Sequence, residues 1–471
     1  MQKISFGTDG WRGILAEDFT FDNVRLVARA VADYMLDHDL AARGVVVGYD
    51  NRFFSGRFAS AIAGVFAGLG IPVLLTGRST PTPVVAFAVK RHNAGGAVML
   101  TASHNPPEYN GFKFIPEHAG PALPHVTAEI EENINKLRQE GTVGEIRPPA
   151  AKAAVTRIIP YAAYSRHLAR LVDMDAIEKA GLQVVVDPMY GAGIGYLENL
   201  LMQAGASVEA IHNVPDSLFG GGLPEPTGKT LSLLREKVVK EGAHLGLALD
   251  GDADRFGIID AGGEFITPNQ FLPILLYHLL TVKGLRGPVA RTVATTHLLD
   301  RIAGSFDLPV EETPVGFKYI SQCLAERGAL LGGEESGGLS VQGHVPEKDG
   351  ILAGLLAAEI VAVHGRSLTG LLERLFSEYG RSCSERLDVR TPGTEKERVM
   401  EVLKNLRPAD LAGRRVLGRV DVDGVKLLLE GGAWVLIRAS GTEPLFRIYT
   451  EAGTPEEIKE LQTSVKTVLN L

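Results

Sequence analysis

Residues 44–50 read GVVVGYD, an uninterrupted apolar run that ends in a polar turn. Residues 55–70, SGRFASAIAGVFAGLG, then place small and apolar side chains at helical spacing, and IPVLLTG at 71–77 returns to a strand pattern. A strand that is apolar on both faces and is followed by a helix is typical of a largely parallel sheet covered on both sides. This strand–helix–strand unit therefore predicts an α/β fold.

The same pattern recurs and then changes. Apolar strands and helical periods return between residues 181 and 255 and again between 287 and 338. From residue 419, RVDVDGVKLLLEGGAWVLIRASG alternates short strands with DG and GG turns, which is typical of an α+β module. We predict three similar α/β domains with mixed sheets and a smaller α+β C-terminal domain, with the boundaries 1–150, 151–255, 256–378 and 379–471.

The composition indicates a soluble protein with large cores, since 45% of the 471 residues are hydrophobic and 22% are charged. A net charge of −8 argues against nucleic acid or an anionic membrane as a partner of the whole surface. The N-terminus has no apolar signal region, and Cys323 and Cys383 lack CxxC spacing, so we expect two buried free thiols in a cytoplasmic protein. The apolar run from Gly350 contains Glu359 and is too short for a bilayer, which predicts a buried helix.

Three aspartates follow an apolar strand in LALDGDADRFG, residues 247–257. Asp250, Asp252 and Asp254 alternate, so an extended segment would place their carboxylates on one side. Crowded carboxylates repel one another unless a cation lies between them, and hard oxygen ligands suit Mg²⁺. An EF-hand is excluded, because Arg255 stands at its glycine position and Ala261 at its bidentate glutamate position. The pattern predicts a magnesium site, with a solvated acidic turn as the alternative.

A serine beside a histidine ends another apolar strand, in MLTASHNP at 99–106. A serine hydrolase needs a base within reach, but His104 directly follows Ser103 and would point to the opposite face of a strand. The sequence also lacks the GxSxG and SxxK patterns of serine nucleophiles. Because a triply acidic magnesium site favours a further anion such as phosphate, we predict a phosphorylated Ser103 bound to the metal. A serine that only caps a turn is the alternative.

A third polar loop is RASGTEPLFR at 438–447. Two guanidinium groups, two hydroxyls and the backbone N–H groups around a glycine can form a cradle for an anion, and bidentate arginine favours phosphate. The alternative is a surface turn with ion-paired arginines. The residues of this predicted phosphate site are Arg438, Ser440, Gly441, Thr442 and Arg447.

A fourth loop, GGEESGG at 332–338, offers Glu334 and Ser336 between glycines. A carboxylate and a hydroxyl suit the hydroxyl groups of a sugar, while a plain hairpin turn is the alternative. In open α/β sheets ligands bind at the carboxyl ends of strands, so we expect these four loops to line one cleft.

Together TASHNP, DGDADR, GEESGG and RASGTEP occur in the order seen in the α-D-phosphohexomutase family, which this chain resembles over essentially its whole length. FGTDGWRG at 6–13 and VGYDNRFFS at 47–55 also match family segments. The resemblance implies a heart-shaped molecule of four domains. It also implies interconversion of hexose 1-phosphate and hexose 6-phosphate through a phosphoserine enzyme and a bisphosphorylated sugar, with Mg²⁺ as cofactor and glucose 1,6-bisphosphate as activator.

The resemblance assigns roles to single residues. Ser103 is implied to be the phosphoserine, and the three aspartates to hold Mg²⁺ with the serine phosphate. Lys113, in YNGFKF, is implied to move protons, which would require a pKa lowered by cationic neighbours. Arg12, His104 and Arg255 are implied to contact the transferred phosphoryl group, and Lys318 is implied to have a catalytic role. Glu334 and Ser336 are implied to bind the sugar. The second phosphate is implied to be bound by Arg438, Ser440, Gly441, Thr442 and Arg447.

The sugar is expected to be glucose, because GEESGG and PEKDG at 346–350 are more similar to phosphoglucomutases than to phosphoglucosamine mutases. Glu335 and Gly338 replace the Met and His of dual-specificity members, and His344 is a candidate for the missing sugar contact. The alternatives are a phosphomannomutase or phosphoglucosamine mutase, a metal-dependent sugar-phosphate phosphatase, and a silent sugar-phosphate binding protein. We expect a monomer or homodimer that acts on small sugar phosphates.

Overall fold

A computed structural model describes residues 4–141, 152–391, 393–440 and 445–470. The chain divides into two compact units. The first unit contains Met1–Pro268, Gly316–Gly332 and Ser336–Thr369, and the second contains Asn269–Val315, Gly333–Glu335 and Gly370–Leu471. The four domain boundaries stay a prediction.

The first sheet of the first unit is mixed, with the strand order β1-β5-β4-β2-β3-β6. The predicted strand of GVVVGYD is confirmed as β2, which pairs in parallel with β3 and β4, while β5 runs antiparallel to both β4 and β1. Strand β2 is apolar on both faces because helices pack on both sides of the sheet. The elements are β1 (Trp11–Ile14), α1 (Phe21–Asp37), β2 (Val45–Tyr49), α2 (Ser55–Gly68), β3 (Val73–Thr76), α3 (Thr82–His92), β4 (Gly96–Leu100), β5 (Tyr109–Pro116), α4 (Pro124–Gln139) and β6 (Val155–Ile158).

The second sheet of the first unit has the order β11-β10-β9-β7-β8. Strand β7 pairs in parallel with β8 and β9, and β9 and β10 form an antiparallel hairpin. The connection of that hairpin, residues 250–255, carries the three aspartates. The elements are α5 (Tyr161–Leu171), α6 (Met174–Ala180), β7 (Gln183–Asp187), α7 (Leu197–Gln203), β8 (Ser207–Ala210), α8 (Ser232–Glu241), β9 (Leu245–Leu249), β10 (Phe256–Asp260) and β11 (Phe265–Ile266).

Helices dominate the following stretch, in which β12 and β13 pair in parallel. The apolar run from Gly350 is confirmed as a buried helix, α12, whose N-terminus is capped by the side chain of Asp349. Across the described ranges, no single helix is long and apolar enough to cross a membrane. The elements are α9 (Pro268–Thr281), β12 (Val289–Thr292), α10 (Leu298–Ser305), β13 (Val310–Thr313), α11 (Phe317–Glu326), β14 (Leu331–Gly333), β15 (Leu339–Val341), α12 (Gly350–His364) and α13 (Leu368–Tyr379).

The C-terminal part of the second unit is an antiparallel sheet with the order β16-β21-β20-β19-β18-β17, which confirms the predicted α+β module. Its strands bury Val435, Ile437 and Ile448 in a core with α15. Cys323 is buried as predicted, but Cys383, on edge strand β16, is only half-buried. The elements are β16 (Cys383–Arg390), α14 (Gly393–Asn405), β17 (Asp410–Leu411), β18 (Arg414–Val420), β19 (Val425–Leu429), β20 (Trp434–Ala439), β21 (Leu445–Ala452) and α15 (Pro455–Leu469).

Candidate active site

The serine predicted as the phosphate carrier lies in a loop, not in a strand. Strand β4 ends at Leu100, and Ser103 has a φ of 50°, in the left-handed region. Its backbone N–H donates to Thr101 Oγ1 at 2.8 Å, which stabilises the turn. Its hydroxyl is buried and donates to Asp250 Oδ2 at 2.6 Å. The structure thus brings Ser103 into direct contact with the acidic loop.

The three aspartates converge through a turn, and the expectation of an extended segment is wrong, because Ala253 has a φ of 58°. One carboxylate oxygen from each of Asp250, Asp252 and Asp254 lies within 4.8 Å of the others, and all three side chains are buried. Gly251 permits close approach, since a Cβ there would lie 2.5 Å from the carbonyl oxygen of Ser103. The serine loop and the acidic loop are therefore in backbone contact.

The donor set of this acidic loop fits a divalent cation. Asp252 Oδ1 and Asp254 Oδ1 are buried and have no hydrogen-bond partner, although buried carboxylate oxygens are normally paired. Burial and the neighbouring carboxylates raise the pKa of Asp250 well above its usual value. A hard cation bound by these oxygens would satisfy the two free atoms and remove that repulsion.

Lys113, on β5, is also at this centre. Its ammonium lies 2.9 Å from Asp252 Oδ2, 3.0 Å from Asp254 Oδ2 and 2.8 Å from Asp9 Oδ2. Burial by itself disfavours the charged form, but the carboxylates outweigh it and raise the pKa of Lys113 well above its usual value. The prediction of a pKa lowered by cationic neighbours is therefore wrong, because the close neighbours of the ammonium are anions.

His104 lies beside the serine, and the expectation that it points to the opposite face is wrong. The left-handed turn at Ser103 brings His104 Nδ1 to 3.3 Å from Ser103 Oγ. The cationic Arg255, burial and Arg12 lower the pKa of His104 well below its usual value, so the ring is neutral at pH 7. The backbone N–H of Arg255 donates to Asp250 Oδ1 at 3.1 Å, and Arg12 donates to the side chain of Asn105.

Sequence reasoning assigned no role to three further residues of this centre. Lys348 is buried, with Nζ 3.3 Å from Asp254 Oδ2, 3.4 Å from Asp9 Oδ2 and 3.4 Å from Glu347 Oε1. Burial raises the pKa of Glu347 to about 7. The signals were the motifs FGTDGWRG and PEKDG, which contain these residues but gave no indication that they meet.

The structure places the other residues of the predicted catalytic and sugar loops as follows. Lys318 lies in the first turn of α11, where burial lowers its pKa. Glu334 directly follows β14 and is buried, whereas Ser336 is exposed. The suggested sugar contact by His344 is wrong, because its buried side chain pairs with Asp349 Oδ2 at 2.8 Å.

The second unit contains the predicted phosphate cradle. Arg438 on β20 and Arg447 on β21 are directly opposite each other, so two guanidinium groups share one face of the sheet. Arg438 pairs with Asp423 Oδ2 at 2.8 Å, and Ser440 is buried. Like charges at opposed positions are unfavourable unless anions lie beside them, and Asp423 supplies one such anion, so the geometry agrees with ion-paired arginines as well as with a phosphate site. The predicted Gly441 and Thr442 lie outside the described residues.

Comparisons with known proteins show the family of the chain. Four family models of phosphoglucomutase/phosphomannomutase match the chain: alpha/beta/alpha domain I at residues 3–141, domain II at 162–263, domain III at 267–379 and the C-terminal domain at 389–468.

Similar proteins cover nearly the whole chain. A phosphoglucomutase/phosphomannomutase of Thermococcus kodakarensis is 32% identical over 98% of this chain and 97% of its own length. A phosphoglucosamine mutase of Streptomyces griseus is 34% identical over 96% of both chains. The crystal structure of a candidate phosphomannomutase from Thermus thermophilus is 35% identical, covers 100% of both chains and has a TM-score of 0.86. None of these three proteins is named a phosphatase, so the alternative of a metal-dependent sugar-phosphate phosphatase gains no support. The four family models and these relatives show that the chain belongs to the α-D-phosphohexomutase family of metal-dependent isomerases.

Proposed function

We propose that the chain interconverts glucose 1-phosphate and glucose 6-phosphate, with Ser103 as the phosphoryl carrier. The observation that carries the proposal is the 2.6 Å hydrogen bond from Ser103 Oγ to Asp250 Oδ2, within a buried group of three carboxylates. A hydroxyl in contact with a cation site is suited to pass a phosphoryl group to a sugar and to receive it back.

Asp250, Asp252 and Asp254 would hold Mg²⁺ together with the phosphate on Ser103. When bound, the ion supplies positive charge that offsets the charge on the phosphoryl oxygens during transfer. The side chains of Arg12 and Arg255 provide further positive charge near His104, and we assign them to the same phosphoryl group.

The roles of Lys113 and His104 follow from their hydrogen-bond partners. Lys113 donates hydrogen bonds to Asp252 and Asp254, so we assign it to position these two metal ligands rather than to act as the base. The Ser103 hydroxyl directs its proton to Asp250 Oδ2, so we assign the neutral His104, with Nδ1 3.3 Å from Ser103 Oγ, to donate a hydrogen bond to the serine oxygen.

The isomerisation needs a bisphosphate intermediate, because the phosphoryl group is donated to one end of the sugar and taken back from the other. The intermediate must turn around between the two steps, so a second phosphate site has to accept either phosphate. We assign that site to Arg438, Ser440, Gly441, Thr442 and Arg447. Glu334 and Ser336 are assigned to the sugar hydroxyls.

The preference for glucose rests on GEESGG at 333–338 and PEKDG at 346–350. The test compares kcat/KM for glucose, mannose and glucosamine 1-phosphates, with and without added glucose 1,6-bisphosphate. We expect glucose 1-phosphate to be used best and the bisphosphate to stimulate the reaction. A larger kcat/KM for mannose or glucosamine 1-phosphate would refute the assigned sugar, and release of free phosphate in place of a 6-phosphate would refute the mutase mechanism.

A further inference from the structure

The loop that carries Ser103 is held by one buried arginine from another part of the chain. Arg52 Nη2 donates to the backbone carbonyl oxygens of Ser103 at 2.8 Å and Asn105 at 2.6 Å. Arg52 Nη1 donates to the carbonyl oxygens of Pro106 at 2.7 Å and Tyr109 at 2.9 Å. Four carbonyl groups of this loop therefore converge on one guanidinium group.

The guanidinium group is itself fixed in place. Arg52 Nε lies 3.2 Å from Asp50 Oδ2, and both side chains are 0% exposed. The other oxygen of Asp50 accepts from the backbone N–H of Arg52 and from Ser55 Oγ, each at 3.0 Å. The ring of Phe219 covers the guanidinium group at 4.9 Å. Asp50 thus neutralises the buried cation and also orients it.

The adjacent residue joins the same arrangement to the second sheet. Asn51 Nδ2 donates to the carbonyl oxygens of Tyr190 and Gly191, each at 2.8 Å. A Cβ on Gly191 would lie 2.8 Å from the carbonyl oxygen of Gly251, in the acidic loop. Residues 50–55 therefore contact the serine loop directly and the acidic loop through one intermediate segment.

Only arginine has the donors for this position. Its planar guanidinium group carries five N–H donors in a fixed fork, and here four of them serve carbonyl groups, while Nε lies 3.2 Å from the Asp50 carboxylate without a hydrogen bond. Lysine has three donors on one nitrogen and cannot serve four carbonyl groups at once. Ser103 needs such support because its left-handed φ of 50° is unfavourable for a residue with a side chain.

We propose that Arg52 is a positioning residue, which holds the Ser103 loop so that the serine oxygen stays at the carboxylates of the acidic loop. The proposal rests on the function proposed for Ser103. Arg52 contacts the backbone of the loop, so it acts on phosphoryl transfer through the position of Ser103. Its loss should therefore lower kcat and leave KM for the sugar phosphate nearly unchanged.

The test uses the full chain with Mg²⁺ and compares Arg52→Lys with Arg43→Lys. Arg43 is a matched control because it also donates to backbone carbonyl groups, at Asn93 (3.0 Å) and Ala94 (3.1 Å), in a loop without a proposed role. Each protein is phosphorylated with glucose 1,6-bisphosphate, and its phosphoserine content is measured by mass spectrometry. The single-turnover rate of transfer from phosphoserine to glucose 1-phosphate is then normalised to that content, which removes any effect of a reduced folded fraction.

For Arg52→Lys we expect the normalised rate and kcat to fall about 100-fold, with KM changed less than about threefold, because small misplacements of reacting atoms cost about that much. Arg43→Lys should match the wild type. If Arg52→Lys does not fold, Ser55→Ala decides. It removes the hydrogen bond to Asp50 and the one that Ser55 Oγ accepts from Asn110 Nδ2, and it should lower kcat about tenfold at unchanged KM.

Three results would overturn the proposal. They are a normalised rate in Arg52→Lys equal to that of the wild type, a rise in KM at constant kcat, and, where only Ser55→Ala folds, an unchanged kcat in that variant. Failure of the proposed function is recognised separately, because the wild-type chain would then acquire no phosphate on Ser103 from the bisphosphate.

Discussion

Replacement of Lys113 by Met should make the stability of the chain strongly dependent on Mg²⁺. The Lys113 ammonium pairs with Asp9, Asp252 and Asp254 at 2.8–3.0 Å, and its side chain is 3% exposed. Removal of one partner from a buried ion pair costs about 3–5 kcal/mol, because the remaining charges are left without compensation. Lys348, at 3.3 Å from Asp254 Oδ2, offsets part of this loss, so we expect about 3 kcal/mol in the absence of metal.

A divalent cation at the same carboxylates should return most of that stability. A ligand at 100 times its Kd adds about 2.7 kcal/mol to a protein that binds it only when folded. The assay is differential scanning calorimetry of wild type, Lys113→Met and Lys136→Met in EDTA and in saturating Mg²⁺. Lys136 is exposed on α4 and provides the same substitution outside the centre.

We expect Lys113→Met to melt well below the wild type in EDTA and to gain more from Mg²⁺ than the wild type does. Lys136→Met should behave as the wild type in both buffers. Equal melting temperatures of wild type and Lys113→Met in EDTA, or an equal gain from Mg²⁺, would refute the view that lysine and metal stabilise the same carboxylates.

Three further predictions concern single side chains. Ser103→Ala should lower kcat for isomerisation at least about 10⁴-fold, because the phosphoryl carrier is gone. Calorimetry should still detect binding of glucose 6-phosphate to this variant, and an active variant would contradict the assignment. Arg438→Ala should raise KM about 10- to 100-fold at similar kcat, since a charge-assisted contact present in ground and transition states is lost. Arg386 has an exposed side chain, and the control variant Arg386→Ala should have the same kcat and KM as the wild type. Burial and His344 lower the pKa of His167 to about 4. Between about pH 6.5 and 4 the unfolded chain therefore binds more protons than the folded chain, so the free energy of unfolding decreases as the pH drops through that window. The melting temperature of His167→Gln should therefore fall less between these pH values than that of the wild type, and parallel curves would argue against this origin.

The fold was predictable where the residue pattern reports burial directly. GVVVGYD indicated β2 because both faces of that strand are covered, and the DG and GG turns indicated the antiparallel C-terminal sheet. Ser103 was predicted to end an apolar strand, but that strand ends at Leu100. The hydrophobic pattern does not report the left-handed φ of Ser103 or the hydrogen bond from its N–H to Thr101.

The candidate site was predictable where its residues are close in sequence. The spacing of the three aspartates indicated a cation site, although the carboxylates meet through a turn at Ala253. The anionic surroundings of Lys113 could not be anticipated, because Asp9 and Asp252 lie far from it along the chain. For the same reason, Arg52 was seen only as part of a motif. The cytoplasmic location and the monomeric or homodimeric state stay predictions.

The contact between Ser103 and Asp250 has a consequence for how the chain matures. The two residues are 147 positions apart, so a growing polypeptide presents its serine long before the acidic partner has been made. Synthesis proceeds from the N-terminus, so all strands of the first sheet have been made before the acidic loop has. Contact of Ser103 with its acidic partner therefore requires the second sheet, and a truncated product that ends before residue 250 would lack the carboxylate that accepts from Ser103.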